Sequence, residues 1–399
     1  MRRALVKTAA LLFLSLTALS HPACGKADLR AELVELLREK AGKIESLTFT
    51  CRTEDGEKVY GEEFHLRFPD EYRYRFLEER NGEMVPTRYA AQSGNRVVRA
   101  RLEDSGSDIS LQAELLEDVP PIRGTGVYLS LYHMMGNADY YYSLLSMLEG
   151  GSLSVVSLED REGRKTYHLR SAEGLSPETE VWLETENGLP LRRELVLEQG
   201  RRVVFSYGDL CVDPPLPLEP FPESAAEIAA VFGRTGSPVS LDVKDGACRL
   251  GPASLTPEGT GFSPLLPELE GFEEAGSFWR DPAASDLSAS ERSLRFPEGF
   301  REFYLLLRQG SRQAEIKEVP RVEDFGYYTS GLGLLSGAYL VQQERFPREA
   351  ADASYTVTFN RQEMQLVAGE VEITVTGDLS RLEYEELART FQSLAEGNP

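Results

Sequence analysis

The sequence predicts an α+β protein: two antiparallel sheets in series, a larger one first and a smaller one after it, with a helix opening the first unit and another closing the second. Three observations carry this. Apolar and polar residues alternate with period two through residues 60–76 and again through many later segments. Five prolines crowd Asp-Pro-Pro-Leu-Pro-Leu-Glu-Pro-Phe-Pro-Glu-Ser at 213–224, a composition that favours an extended linker over a packed element. Helical spacing is confined to short stretches, the last of them opened by a Ser380/Glu383 capping-box pattern. The expected division is a signal segment at 1–24, a first domain at 27–212, a proline-rich linker at 213–238 and a smaller α+β domain at 239–399.

The chain opens on an export signal. Arg2, Arg3 and Lys7 precede an apolar run from Ala9 to Leu19 that is too short to span a bilayer. Ala23-Cys24-Gly25 fits a lipoprotein cut, in which Cys24 becomes lipidated, but His21 and Pro22 depart from that pattern. An ordinary cut after Ala18-Leu19-Ser20 is the other reading. The expected location is extracytoplasmic, in the cell envelope, with Cys24 as the lipid anchor and the only tie to a membrane. The net charge of −22 argues against nucleic acid, whose phosphates would be repelled, and against adhesion to anionic lipid through a basic patch. Cys51, Cys211 and Cys248 permit one disulfide if Cys24 is lipidated, and two become possible if it is not. Buried free thiols are the plainer reading, and the wide spacing excludes a Cys-x-x-Cys site.

The elements follow in order. Residues 28–41 place Leu29, Leu33, Leu36 and Leu37 on one stripe, with Asp28 as N-cap and Gly42 as stop. Tyr60, Phe64, Leu66 and Phe68 share one parity and Glu63, His65 and Arg67 the other. After the turn at Pro69-Asp70, Tyr72, Tyr74 and Phe76 alternate with Arg73 and Arg75, which predicts a sheet with one wet face. Strands follow near 84–90, 95–102 and 108–115. Residues 125–149 read as two short helices rich in Tyr and Met. Strands resume at 153–159, 165–171, 179–185, 190–198 and 201–210, and a short helix at 225–233. The second domain is expected to hold strands at 239–250, 292–296, 300–309, 312–318, 335–344, 354–359, 363–367 and 370–376. Residues 251–290, rich in Pro, Gly and Ser, read as a long loop. A helix from Ser380 to Leu394 ends the chain.

Reactive chemistry is sparse. Only His21, His65, His133 and His168 are present. His65 and His168 fall at polar-parity strand positions and read as surface residues. No nucleophile–histidine pair, phosphate loop or metal spacing occurs, so the chain is expected not to be an enzyme and to use no cofactor or metal. The candidate site is apolar. A curved sheet with a helix on its concave side leaves a cavity when large inward side chains do not interdigitate. Tyr60, Phe64, Phe68, Tyr72, Tyr74 and Phe76 form the expected aromatic wall. Tyr128, Tyr132, Met135, Tyr140 and Tyr141 form its cover. Aromatic and Met side chains suit a greasy, adaptable ligand; the same stripes would equally serve as an ordinary core.

Three stretches resemble LolA-like and RseB-like proteins. They are helix 28–41 followed by Ile44-Glu45-Ser46-Leu47-Thr48-Phe49, then Leu66-Arg67-Phe68-Pro69-Asp70-Glu71-Tyr72-Arg73-Tyr74, and Ser93-Gly94-Asn95-Arg96-Val97. The hairpin Glu180-Val181-Trp182-Leu183-Glu184-Thr185-Glu186-Asn187-Gly188-Leu189-Pro190-Leu191-Arg192 resembles theirs more closely. Residues 291–394 are similar to the smaller C-terminal domain of RseB-like proteins. The resemblance implies an unclosed half-barrel lidded by helices, whose cavity takes a lipoprotein acyl chain or another lipid. It also implies, as the alternative, an envelope-stress or spore-envelope regulator acting through an envelope protein partner. One departure stands out: the carriers usually place an Arg directly before the Pro of the second strand's turn, where this chain has Phe68. That departure puts shuttle activity in doubt.

Overall fold

The computed structural model describes residues 25–80, 82–104, 109–117, 135–175, 177–197, 200–215, 218–234, 239–245, 262–280, 300–321, 341–347, 350, 352–359 and 361–397. The signal segment with Cys24 and the positions of Tyr128, Tyr132, His133 and Cys248 lie outside the described residues.

The opening helix, α1 (Gly25–Lys40), buries Leu33 and Leu37 completely. Asp28 lies inside its first turn rather than capping it. Twelve strands build the first sheet: β1 (Ser46–Asp55), β2 (Lys58–Arg67), β3 (Glu71–Arg80), β4 (Glu83–Ser93), β5 (Arg96–Asp104), β6 (Ile109–Glu117), β7 (Leu153–Arg161), β8 (Arg164–Ser171), β9 (Glu178–Glu184), β10 (Pro190–Val196), β11 (Arg202–Val212) and β12 (Val239–Asp245). Their order is β12-β6-β5-β4-β3-β2-β1-β11-β10-β9-β8-β7, so the sheet is unclosed. Helix α2 (Ala138–Glu149) falls between β6 and β7, and α3 (Ala225–Val231) between β11 and β12.

The second sheet has seven strands: β13 (Glu273–Arg280), β14 (Glu302–Gln309), β15 (Arg312–Pro320), β16 (Val341–Arg345), β17 (Ser354–Thr358), β18 (Arg361–Ala368) and β19 (Val371–Gly377). They run in the order β13-β14-β15-β19-β18-β17-β16, every pair antiparallel. Helix α4 (Arg381–Gly397) closes the chain with Tyr384, Leu387, Ala388 and Phe391 buried. Ser380 and Glu383 exchange the predicted capping bonds.

Three further expectations are corrected. The strand expected to begin the second domain at 239 is β12, which pairs in parallel with β6 at the edge of the first sheet. Residues 273–280, expected within a loop, are strand β13; the charged start of Glu-Glu-Ala-Gly-Ser-Phe-Trp-Arg has no apolar alternation, and its adjacent Phe278 and Trp279 fall on opposite faces.

The proline-rich segment is not a free linker either, because its later part is strapped across the outer face of the first sheet. Arg73, only 5% exposed, donates through Nε to the Glu219 carbonyl (3.0 Å) and through Nη1 to the Tyr72 and Gln92 carbonyls (2.8 Å each). Arg75 binds the Glu219 carboxylate at 2.7 Å, and Arg96 binds that of Glu223 at 2.9 Å. Phe221 lies under the guanidinium groups of both Arg73 and Arg96. Helix α3 then buries Ile228 and Phe232 against Tyr89, Ala91, Val98, Leu111 and Leu115. The predicted wet face is therefore covered over much of β3–β6.

Removing the Arg73 guanidinium would strand two strand carbonyls and release the strap. Arg73→Met is expected to cost about 2–4 kcal/mol and to expose residues 218–224 to protease. An unchanged urea midpoint together with unchanged protease resistance would refute the strap.

Candidate functional site: the covered face of the first sheet

The face of the first sheet that carries α1 and α2 is the candidate site. Cross-strand neighbours on it alternate as period two requires: Phe49 opposite Phe64, and Phe64 opposite Tyr74. The structure divides the aromatic residues that the sequence singles out into two groups.

Phe64, Tyr74, Met135, Tyr140 and Tyr141 are buried and belong to one continuous core. Phe49 stacks on Phe64 at 4.5 Å between centroids, and Phe64 meets Tyr74 at 5.1 Å. The Tyr74 hydroxyl donates to Glu62 Oε1 at 2.9 Å; burial and that neighbouring carboxylate hold its pKa well above the usual phenol value. Tyr140 donates to the Gly188 carbonyl (2.9 Å) and Tyr141 to that of Asn187 (2.8 Å). Two adjacent tyrosines of α2 thus hold the Asn187-Gly188 turn of the β9–β10 hairpin. Gly188 has φ +68°, and a Cβ there would lie 2.9 Å from Leu37, so the turn needs glycine for both its conformation and its contact with α1.

Tyr60, Phe68, Tyr72 and Phe76 are only partly buried. They flank the closed centre in two pairs. Tyr60 and Phe76 meet at 5.5 Å, with the Arg88 guanidinium 5.2 Å above the Phe76 ring. At the other end, Tyr72 donates to Gln92 Oε1, and Phe68 borders Gly136.

The second sheet also reaches this face. Phe359, at the tip of the β17–β18 hairpin and 2% exposed, lies 5.9 Å from the Tyr140 ring. The fully buried Arg193 of β10 sets its guanidinium carbon 4.4 Å from the Phe359 centroid and 5.9 Å from that of Phe205. Arg193 is not evident from sequence because Arg192-Arg193-Glu194 reads as a polar run. Its parity with the buried Leu195 was the available signal.

Helix α2 joins the two sheets through buried polar groups. Asp139 Oδ1 accepts from the Gln362 backbone N–H (3.0 Å) and from Gln362 Nε2 (3.1 Å). The Asp139 N–H donates to Asp378 Oδ1 at 2.9 Å, and Asp378 Oδ2 accepts from the Gln313 N–H at 2.9 Å. Ser143 Oγ lies 3.0 Å from the Phe359 carbonyl, Ser146 Oγ lies 3.2 Å from the Tyr355 hydroxyl, and Ser152 donates to Gln342 at 2.7 Å.

Elsewhere, His168 is a buried ring on the outer face, not a surface residue. It stacks on Trp182 at 4.6 Å, with Nδ1 3.1 Å from Glu159. Cys51 is buried, Cys211 is exposed, and both are free thiols. Among the described residues no group of three or more His, Cys, Asp and Glu side chains could hold a metal, and no helix is long and apolar enough to cross a membrane.

An unclosed sheet with α1 and α2 on one face, followed by a smaller antiparallel sheet, is the arrangement that the sequence resemblance implies. The chain is similar to RseB-like and LolA-like proteins of known structure. MucB from Pseudomonas aeruginosa, solved with MucA, aligns with 90% of this chain and 96% of its own at 15% identity and a TM-score of 0.30. A LolA superfamily protein from Nitrosomonas europaea aligns with 47% of this chain and 94% of its own, at 11% identity and a TM-score of 0.22. A putative outer membrane lipoprotein-sorting protein domain from Vibrio parahaemolyticus gives 11% identity over 47% and 93%, with a TM-score of 0.21. No protein-family description and no curated protein matches the sequence.

Proposed function

We propose that this chain is an extracytoplasmic binding protein that takes the apolar part of an amphiphile, an acyl chain or a lipidated protein, against the covered face of its first sheet. One observation carries the reading. Aromatic side chains of β2, β3 and the turn that joins them stay partly exposed at both ends of a closed centre, at Tyr60 and Phe76 and at Phe68 and Tyr72. A sheet face that served as core alone would bury them, since leaving an aromatic ring in water forfeits about 1.5–3 kcal/mol. The export signal supports the location, and lipidated Cys24 would hold the protein at the membrane.

Native mass spectrometry of protein purified from its own host is expected to show co-purifying lipid, and a fluorescent 16-carbon fatty acid should bind. Phe76→Ser should weaken that binding about tenfold or more, the equivalent of losing one buried ring, with a loss of stability of about 1–2 kcal/mol from its contacts with Tyr60 and Arg88. Absence of lipid together with no fatty-acid uptake would remove this reading. The remaining one would be an envelope regulator working through contact with a protein partner.

A further inference from the structure

Phe359 belongs to the second sheet, yet its ring is seated among residues of the first. It lies against Tyr140 of α2 and over Arg193 of β10, which shares the Phe205 ring of β11. Arg193 and Phe205 are direct cross-strand partners on the covered face, and Phe205 belongs to the same core as Phe49, Phe64 and Tyr207. A hairpin tip from one sheet thus fills space on the face where an apolar ligand would lie. The tip is held by hydrogen bonds with α2: the Ser143 hydroxyl, shared between the Tyr140 carbonyl at 2.8 Å and the Phe359 carbonyl at 3.0 Å, and Asp139 on the backbone and side chain of Gln362.

We propose that the β17–β18 hairpin is a built-in plug: Phe359 occupies part of the amphiphile-binding face, so that ligand entry and docking of this hairpin exclude each other. The inference rests on the amphiphile reading above and adds its regulation. Because the two events compete for one volume, any ligand that binds must favour the undocked hairpin by the same factor by which docking weakens the ligand. Occupancy of the first sheet would in this way be reported by the second.

The test uses the full chain and the fluorescent 16-carbon fatty acid as probe, with hydrogen exchange followed in peptides covering 354–366. Phe359→Ala removes the plug, and an emptied apolar site stays available to apolar molecules; it is expected to bind the probe about tenfold more tightly than the parent. Ser143→Ala removes a single hydrogen bond to the tip and is expected to tighten binding about threefold. In the parent, saturating probe should raise exchange at 354–366. Probe binding of equal strength in all three proteins, with exchange at 354–366 unmoved, would overturn the plug and leave the amphiphile reading standing. If no protein binds the probe, both fall together. Should Phe359→Ala fail to fold, Ser143→Ala and the exchange measurement on the parent decide the matter alone.

Discussion

Glu318→Gln is expected to make the protein progressively more stable than the parent as pH rises above about 4.5 and to leave it nearly unchanged below that. Glu318 sits on β15 with no exposed surface, between Phe303 of β14 and Ile373 of β19. Its Oε2 accepts the Leu265 N–H at 2.9 Å, while Oε1 meets no hydrogen-bond donor among the described residues. Burial pushes this carboxyl up to about 8, against the opposing pull of the Leu265 N–H. A carboxyl whose folded pKa lies above its unfolded value is protonated more readily in the native state. Stability is therefore highest below the unfolded pKa near 4.5, and it declines as pH rises through the window up to about 8. The decline approaches about 1.4 kcal/mol per pH unit.

Glutamine keeps an acceptor for Leu265 and cannot ionise. The variant should lose this contribution to the slope, while other carboxyls raised by burial, Glu184 and Glu372, keep theirs, and the gap between the two proteins should reach roughly 3–5 kcal/mol at pH 9. Urea unfolding at pH 5, 7 and 9 measures it. Parallel pH profiles for parent and variant would show that Glu318 does not titrate as a buried acid.

What the sequence revealed of this molecule was set by local periodicity. Strands whose two faces differ in polarity, such as β2 and β3, were readable because Phe64, Leu66, Tyr72 and Tyr74 alternate with the polar Glu63, His65, Arg67, Arg73 and Arg75. Helix α4 was readable because Leu387 and Phe391 lie on one stripe and Ser380 caps its start. The features that depend on distant partners were not. Arg73 reads as a wet-face residue until Glu219 and Phe221 are folded over it, 146 positions later for the first of them. The aromatic wall was recognised as a set, but its division into a closed centre and partly exposed ends comes from Phe49 and α2, which the alternation of β2 and β3 does not contain. Arg193 and Phe359 meet only because the second sheet docks on the first. No window of either segment holds that information.

The junction between the sheets gives the second large effect. Asp139→Ala is expected to uncouple them. It removes the acceptor for two donors of Gln362, a residue with no exposed surface, and Asp139 itself is 2% exposed. Buried donors left without an acceptor cost the full desolvation of each group, about 1–3 kcal/mol, so the substitution should destabilise the docked arrangement by roughly 3–5 kcal/mol. Asp139→Asn keeps an acceptor oxygen and should cost less than half as much.

The two sheets have separate helices and largely separate ladders, with α1 on one and α4 on the other, so each retains packing of its own when the junction fails. Scanning calorimetry of the parent should give one transition, and Asp139→Ala should split it in two, with the second sheet melting first. The same variant should raise hydrogen exchange at Gln313 and at 361–364, where Asp378 and Asp139 hold the backbone N–H groups of Gln313 and Gln362. A single transition at the parent's temperature, with protection at Gln362 retained, would mean that apolar contact through Tyr140 and Phe359 docks the sheets without help from these bonds. The energetic weight of the junction would then rest on the plug itself.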